Sequence, residues 1–171
     1  MNYFELFEIP IALQVNPASI QKKFYELSRK YHPDYYAQSG EAEQLEALEK
    51  SSMVNRAYKT FQNPDQTIRY VLQLHELIEK EEKYQLDPEF LMEVMEINEE
   101  LMDVDEEAGL QKTRVKANQL LERIYEEIRP IIENYDDATA TREDLLRVKD
   151  YYFRKKYIYR ILDAVDKRSG K

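Results

Sequence analysis

Apolar residues recur along this chain at helical spacing, with no convincing run at the alternating spacing of a strand. Ile20, Phe24, Leu27 and Tyr31 fall at i, i+4, i+7 and i+11, an amphipathic stripe. Asn16-Pro17 precedes it as an N-cap followed by proline at the first helical position, where the missing N–H costs nothing. Pro33 ends the helix, because the residue before a proline is pushed out of the helical region. After the polar stretch Ala37-Gln38-Ser39-Gly40, a second long helix is predicted from about Glu41 to Phe61, with Leu45, Leu48, Ala57, Tyr58 and Phe61 as its apolar contacts. Asn63-Pro64-Asp65 breaks it, and a shorter helix follows from Gln66 to His75 through Ile68, Val71, Leu72 and Leu74.

Glu79-Lys80-Glu81-Glu82-Lys83 reads as a charged linker and marks the boundary between two modules. Beyond it Asp87-Pro88 repeats the cap-then-proline signature and opens a helix to about Asp103. Gly109 predicts a break, after which a helix runs from about Leu110 to Tyr135 with a kink at Pro130. Thr141 with Asp144 three residues on resembles a capping box, and the last helix runs to about Asp166. The pattern is therefore all-α: residues 1–76 with four helical segments, counting a short one near the N-terminus, then a three-helix bundle over 84–168. Each module is small for an independent core, so the two are expected to pack together.

Composition narrows the function classes. The chain has 171 residues, 43% hydrophobic and 35% charged, with 3 Gly and no Cys, which is the balance of a folded helical protein. Absence of cysteine removes disulfides, thiol nucleophiles and thiolate metal ligands. No apolar run approaches the roughly 20 residues that span a bilayer, and the N-terminus lacks the basic start and apolar core of a signal peptide. A cytoplasmic, bacterial protein with no membrane partner is expected. A net charge of −9 argues against nucleic acid. Residues 1–75 carry 8 Lys+Arg against 9 Asp+Glu, whereas 76–107 carry 2 against 14. Such asymmetry suggests modules with different partners.

Two places carry candidate chemistry. His32 beside Asp34 could orient a general base, but no cysteine, phosphate loop or Gly-x-Ser-x-Gly elbow accompanies it. Two histidines without a His-Glu-x-x-His pattern argue against a zinc site, and no cofactor is called for. The tripeptide His32-Pro33-Asp34 is then either a helix-ending turn or a docking loop. Its context favours docking, since the preceding helix carries Lys22, Lys23, Arg29 and Lys30, and Lys22, Arg29 and Lys30 lie away from its apolar stripe.

The second place is the helix from Pro88. With Phe90 at 0°, Val94, Ile97 and Leu101 fall within about 40° and form a core stripe. Leu91, Met102, Met95 and Met92 fall at about 100° to 200°, and Glu99, Asp103 and Glu96 at about 180° to 240°. This second arc is either a wide core edge beside ordinary surface, or an exposed, methionine-rich, acid-rimmed docking patch. Asp103-Val104-Asp105 lacks the Gly and terminal Glu of an EF-hand, which excludes that calcium loop.

The short helix Asn2-Tyr3-Phe4-Glu5-Leu6-Phe7, the basic helix, the His-Pro-Asp loop and the later Asn55-Arg56-Ala57-Tyr58 together resemble a J domain. That resemblance implies that the loop and basic face contact the ATPase part of a DnaK-class chaperone and promote its ATP hydrolysis, so the chain is no enzyme itself. With the run Phe90-Leu91-Met92-Glu93 to Glu99-Glu100-Leu101 and the three-helix bundle, the whole chain resembles the HscB co-chaperone family. The family delivers the iron–sulfur scaffold protein IscU to the chaperone HscA and has an L-shaped fold with the J domain packed on the bundle. Carried over by position, the scaffold-binding residues are Leu91, Met92, Met95, Glu96, Glu99, Asp103 and Phe153. Departures are Tyr35-Tyr36 after Asp34, Met95 for Leu, Asp103 for Glu, and Pro130 within the bundle. The alternative within the same resemblance is a J protein serving a general DnaK-class chaperone, with a different client on its bundle.

Overall fold

The computed structural model describes residues 1–170, and all regular structure among them is helical. The described residues divide into two compact units, one of residues 1–75 with 135–140, the other of 76–134 with 141–170.

The first unit begins with α1, Tyr3–Leu6. Asn2 and Glu5 form a reciprocal capping box at its start. Its end is a left-handed Glu8 (φ 55°), with Glu8 N–H bonded to the Glu5 carbonyl and Ile9 N–H to the Phe4 carbonyl. Next come α2, Pro17–Lys30, and α3, Glu41–Phe61, joined through a 3-10 turn over Pro33–Tyr36, and then α4, Pro64–Leu74. Asn16 caps α2 by accepting the Ser19 N–H, and Asn63 caps α4 by accepting those of Asp65 and Gln66. Helix α3 is the spine, with α1, α2 and α4 all packed on it. Phe4, Phe7 and Phe61 pack ring against ring at 5.0–5.2 Å, and Ile20, Leu27, Val54, Ala57, Ile68, Val71 and Leu72 complete a buried core. Phe24 reaches α3 edge-on to Tyr58 at 3.9 Å.

Leu45 and Leu48 do not join this core; both are 58% exposed. Ala47, Val54, Ala57 and Phe61 occupy the inward arc of α3, and a helical wheel turns Leu45 and Leu48 to the opposite side. Beyond α4, His75 Nε2 meets Asp137 Oδ1 at 2.7 Å, and the Tyr135 hydroxyl donates to the same oxygen at 2.6 Å.

The second unit holds α5, Pro88–Met102, α6, Glu107–Glu133, and α7, Arg142–Arg168, with each helix packed on the other two. Phe90, Val94 and Leu101 of α5 meet Ala117, Leu120, Ile124 and Ile128 of α6 and Val148, Ile158, Ile161 and Val165 of α7 in one apolar core. Thr141 caps α7 through the Asp144 N–H, as its sequence predicts, whereas Asp87 makes no side-chain cap on α5. Gly109 does not break the chain but sits in the first turn of α6; the break is Asp103–Glu106. A Cβ at position 109 would lie 2.7 Å from Val104 Cγ1, so glycine there permits a close approach of the loop to the helix. Pro130 lies inside α6 near its end, where only the Glu126 carbonyl loses its usual donor, and the helix continues to Glu133. Lys155 is buried on α7, with its ammonium 5.1 Å and 5.3 Å from the Tyr151 and Tyr159 ring centres.

Candidate functional site

Helix α2 ends at Lys30, and Tyr31 leads directly into the loop. His32 is the N-cap of the 3-10 turn: its Nδ1 accepts the Asp34 N–H at 3.2 Å, and its carbonyl accepts the Tyr35 N–H at 3.0 Å. That use of Nδ1 leaves Nε2 as the nitrogen that faces outward chemistry. Pro33 at the first turn position fixes φ, so this loop is stiff although it is exposed. Helix α3 braces it from behind. Gln44 Nε2 donates to the carbonyls of Tyr36, Ala37 and Ser39, and the Tyr36 hydroxyl donates to the Lys30 carbonyl. Asp34 is the outermost element, its side chain 89% exposed, with His32 Nδ1 3.6 Å away. A carboxylate held at the tip of a rigid loop loses little entropy on meeting a cationic partner.

Lys22, Arg29 and Lys30 are exposed along α2, and Lys22 and Arg29 line an open hollow with Tyr25, His32, Asp34 and Tyr35. Lys23 is set apart. It is half-buried and paired with Glu8 at 3.3 Å and Glu26 at 3.9 Å, which diverts its charge into the first unit. Tyr25 lies outside the candidate set drawn from the sequence, and Tyr35 enters it only as a departure from the family pattern; they are 54% and 72% exposed. The signal was present, since Tyr25 falls on the polar arc of the α2 wheel.

In the second unit α5 presents the predicted second arc to solvent. Met92, Met95 and Met102 are 61%, 59% and 80% exposed, while Leu91 is half-buried at the edge of the core. Not all of its acids are free. Arg123 Nη2 donates to both Glu93 carboxylate oxygens, at 2.7 and 2.6 Å, and Glu100 pairs with Lys116. Glu96, Glu99 and Asp103 are exposed and make no ion pair among the described residues. Glu99 and Asp103 crowd the C-terminal end of α5, the negative pole of its dipole, where no basic residue of α5 offsets them. Arg168 does donate to the Leu101 and Val104 carbonyls there.

Phe153 sits differently from the other residues of this set. It is 8% exposed, and Tyr84 lies flat on it at 4.6 Å between centroids. The Tyr84 hydroxyl donates to Asp150 at 2.9 Å, Lys149 lies 5.5 Å over its ring, and Lys149 pairs with Glu82 at 2.6 Å. Burial, then the hydrogen bond to the Asp150 carboxylate and nearby negative charge, push the Tyr84 phenol up to about 12. The stretch that reads as a charged linker is thus partly a strap on α7. Its sequence signal is Tyr84 and Leu86 standing among charged residues.

Comparison with known proteins bears on both units of the chain. A family model described as DnaJ domain matches residues 2–70, and one described as HSCB C-terminal oligomerisation domain matches residues 86–166. A co-chaperone protein HscB homolog from Vibrio atlanticus is 32% identical over 90% of this chain and 90% of its own length. One from Vibrio campbellii is 30% identical over 99% of this chain and all of its own. Among solved structures, the chaperone HscB from Vibrio cholerae superposes with a TM-score of 0.72 at 27% identity, covering 99% of this chain and 98% of that one. Human co-chaperone HscB gives 0.78 at 27% identity, covering 99% of this chain and 82% of that one. Helical architecture, a J domain with its His-Pro-Asp loop and full-length similarity to these relatives converge: the chain belongs to the HscB family of J-domain co-chaperones, which act on a DnaK-class chaperone and are not themselves enzymes.

Proposed function

We propose that this protein couples a DnaK/HscA-class chaperone to the iron–sulfur scaffold protein IscU in the bacterial cytoplasm. Residues 1–76 act as the J domain, with His32, Pro33, Asp34, Lys22, Lys23, Arg29 and Lys30 as the chaperone-binding set. Residues 84–168 bind the scaffold through Leu91, Met92, Met95, Glu96, Glu99, Asp103 and Phe153. The observation that carries the reading is α5, where exposed Met92 and Met95 adjoin Glu96 and Glu99, which make no ion pair among the described residues. Leaving such a face wet sacrifices helix stability, and an apolar partner with a basic rim recovers it. In this reading Phe153 is reached only at its edge or after Tyr84 moves.

Addition of the protein to HscA should raise steady-state ATP turnover, and Asp34→Asn should abolish the rise. Met92→Ala/Met95→Ala removes exposed side chains only, so it should weaken IscU binding by calorimetry and leave stimulation without scaffold unchanged. Equal IscU affinity for this variant would overturn the scaffold assignment and favour a general J protein with another client.

A further inference from the structure

Charge in the second unit is sorted by helix. Helix α5 carries five acids and no base, whereas α7 carries nine bases against five acids. Five of those bases are used inside the unit. Lys149 pairs with Glu82, Arg154 with Asp150, Arg147 donates to the Glu127 carbonyl, Arg168 to those of Leu101 and Val104, and Lys155 is buried beside Tyr151 and Tyr159. Arg142, Lys156, Arg160 and Lys167 differ: all four are exposed and make no ion pair among the described residues. At 100° per residue they fall within about 40° of one another, on the arc opposite the buried Val148, Ile158, Ile161 and Val165. Asp163 is the one acid beside this line, and it pairs with none of the four. From Lys156 to Lys167 the line covers about 16 Å of helix, and Arg142 stands apart from it near the helix start.

A face kept only for solubility interleaves both signs, so an unbroken basic line on a chain of net charge −9 marks a contact with something acidic. Two of its cations are also pre-placed on rings. The Lys156 ammonium lies 4.7 Å from the Tyr152 ring centre and 5.1 Å from that of Phe153, and the Arg160 guanidinium lies 4.9 Å from that of Tyr157. Side chains held in this way lose less freedom on meeting a carboxylate. We propose that the Lys156–Arg160–Lys167 line is a second contact for the scaffold docked on α5, receiving a carboxylate-rich segment of it. Continuity decides the occupant: Phe153 belongs to the scaffold set and Lys156 sits over its ring, so a partner that reaches Phe153 meets Lys156. Opposite signs on α5 and α7 then fix the orientation of the scaffold on the bundle.

The role of the line rests on α5 being the scaffold face, and the test separates the two. IscU is titrated calorimetrically, at low and at high KCl, into full-length wild type, Met92→Ala/Met95→Ala, Lys156→Gln and Arg160→Gln/Lys167→Gln. Both α7 variants should bind about fivefold more weakly at low salt and match wild type at high salt, because screening removes a charge contact and spares an apolar one. Lys156→Arg should restore wild-type affinity, which separates the charge from any uncovering of Phe153. Wild-type affinity for both α7 variants, with Met92→Ala/Met95→Ala weakened, would overturn the line and leave the α5 reading intact. Tighter binding by the α7 variants would also overturn it, since the facing segment would then be basic. No binding by wild type would overturn both. A salt-sensitive wild-type sedimentation coefficient that Arg160→Gln/Lys167→Gln makes salt-insensitive, with IscU affinity unchanged, would assign the line to the acidic α5 of a second copy instead.

Discussion

Removing Tyr84 tests whether the stretch before α5 is a linker or part of the second unit's packing. Its ring covers Phe153, its hydroxyl holds Asp150, and Lys149 lies over it. A stacked aromatic pair is worth ~0.5–1.5 kcal/mol beyond burial, a hydrogen bond to a carboxylate ~1.5–3 kcal/mol, and an exposed cation–π contact ~0.5–1 kcal/mol. Loss of the hydroxyl alone does not orphan Asp150, because Arg154 Nε still holds it at 2.6 Å. Tyr84→Phe should therefore cost about 1 kcal/mol, near the lower bound. Tyr84→Ala adds the stack, the cation–π contact and a newly wetted Phe153 face, for about 3 kcal/mol in total. Urea unfolding of the full chain, followed by circular dichroism, measures both. Equal losses for the two variants, or a loss under about 0.5 kcal/mol for Tyr84→Ala, would refute the strap. The phenol supplies an independent check. Its folded-state value of about 12 exceeds the ordinary 10.0, so its contribution is intact below pH 10 and is lost as pH rises toward 12. The difference in stability between wild type and Tyr84→Phe should shrink across that window. Uncovering Phe153 should also raise IscU affinity if that ring belongs to the scaffold contact, and unchanged affinity would place it outside.

Phe4 is fully buried against Phe61, so Phe4→Ala should destabilise the first unit by ~3–5 kcal/mol, measured by urea unfolding. Asn63→Ala removes an acceptor for two N–H groups and should lower the same unit's stability by about 1 kcal/mol. Burial pushes the Asp137 carboxyl up, but hydrogen bonds from Tyr135 and His75 and the His75 charge outweigh it and hold Asp137 below its usual value. Its contribution is thus present above the unfolded value and lost as pH falls through the lower folded one. Asp137→Asn should flatten the acid arm of the urea midpoint below about pH 4, and an unchanged arm would show that the cluster carries no linkage.

Much of this protein is written in one dimension. Helix starts at Asn16-Pro17, Asn63-Pro64 and Thr141 are local events, set by a side chain and backbone groups two or three residues away, and the chain pattern reads them directly. The His-Pro-Asp turn is local in the same sense, for His32 caps it and Pro33 stiffens it within four residues. The wheel of α5 was legible too, because a core stripe needs only the 3.6 period. What escaped depends on distant chain. Leu45 and Leu48 fit an apolar pattern, yet whether a leucine is buried depends on a helix arriving on that side, and none does. Gly109 signals a break by composition, but Val104 folding back on it makes glycine part of a helix. Lys23 looks like its basic neighbours until Glu8, fifteen residues earlier, captures it. Tyr84 meets Phe153 across a separation that no periodicity spans. Sequence alone therefore determined the helices, the loop and the family; tertiary contacts, which set burial and charge pairing, decided which of the candidate side chains remain free to meet a partner.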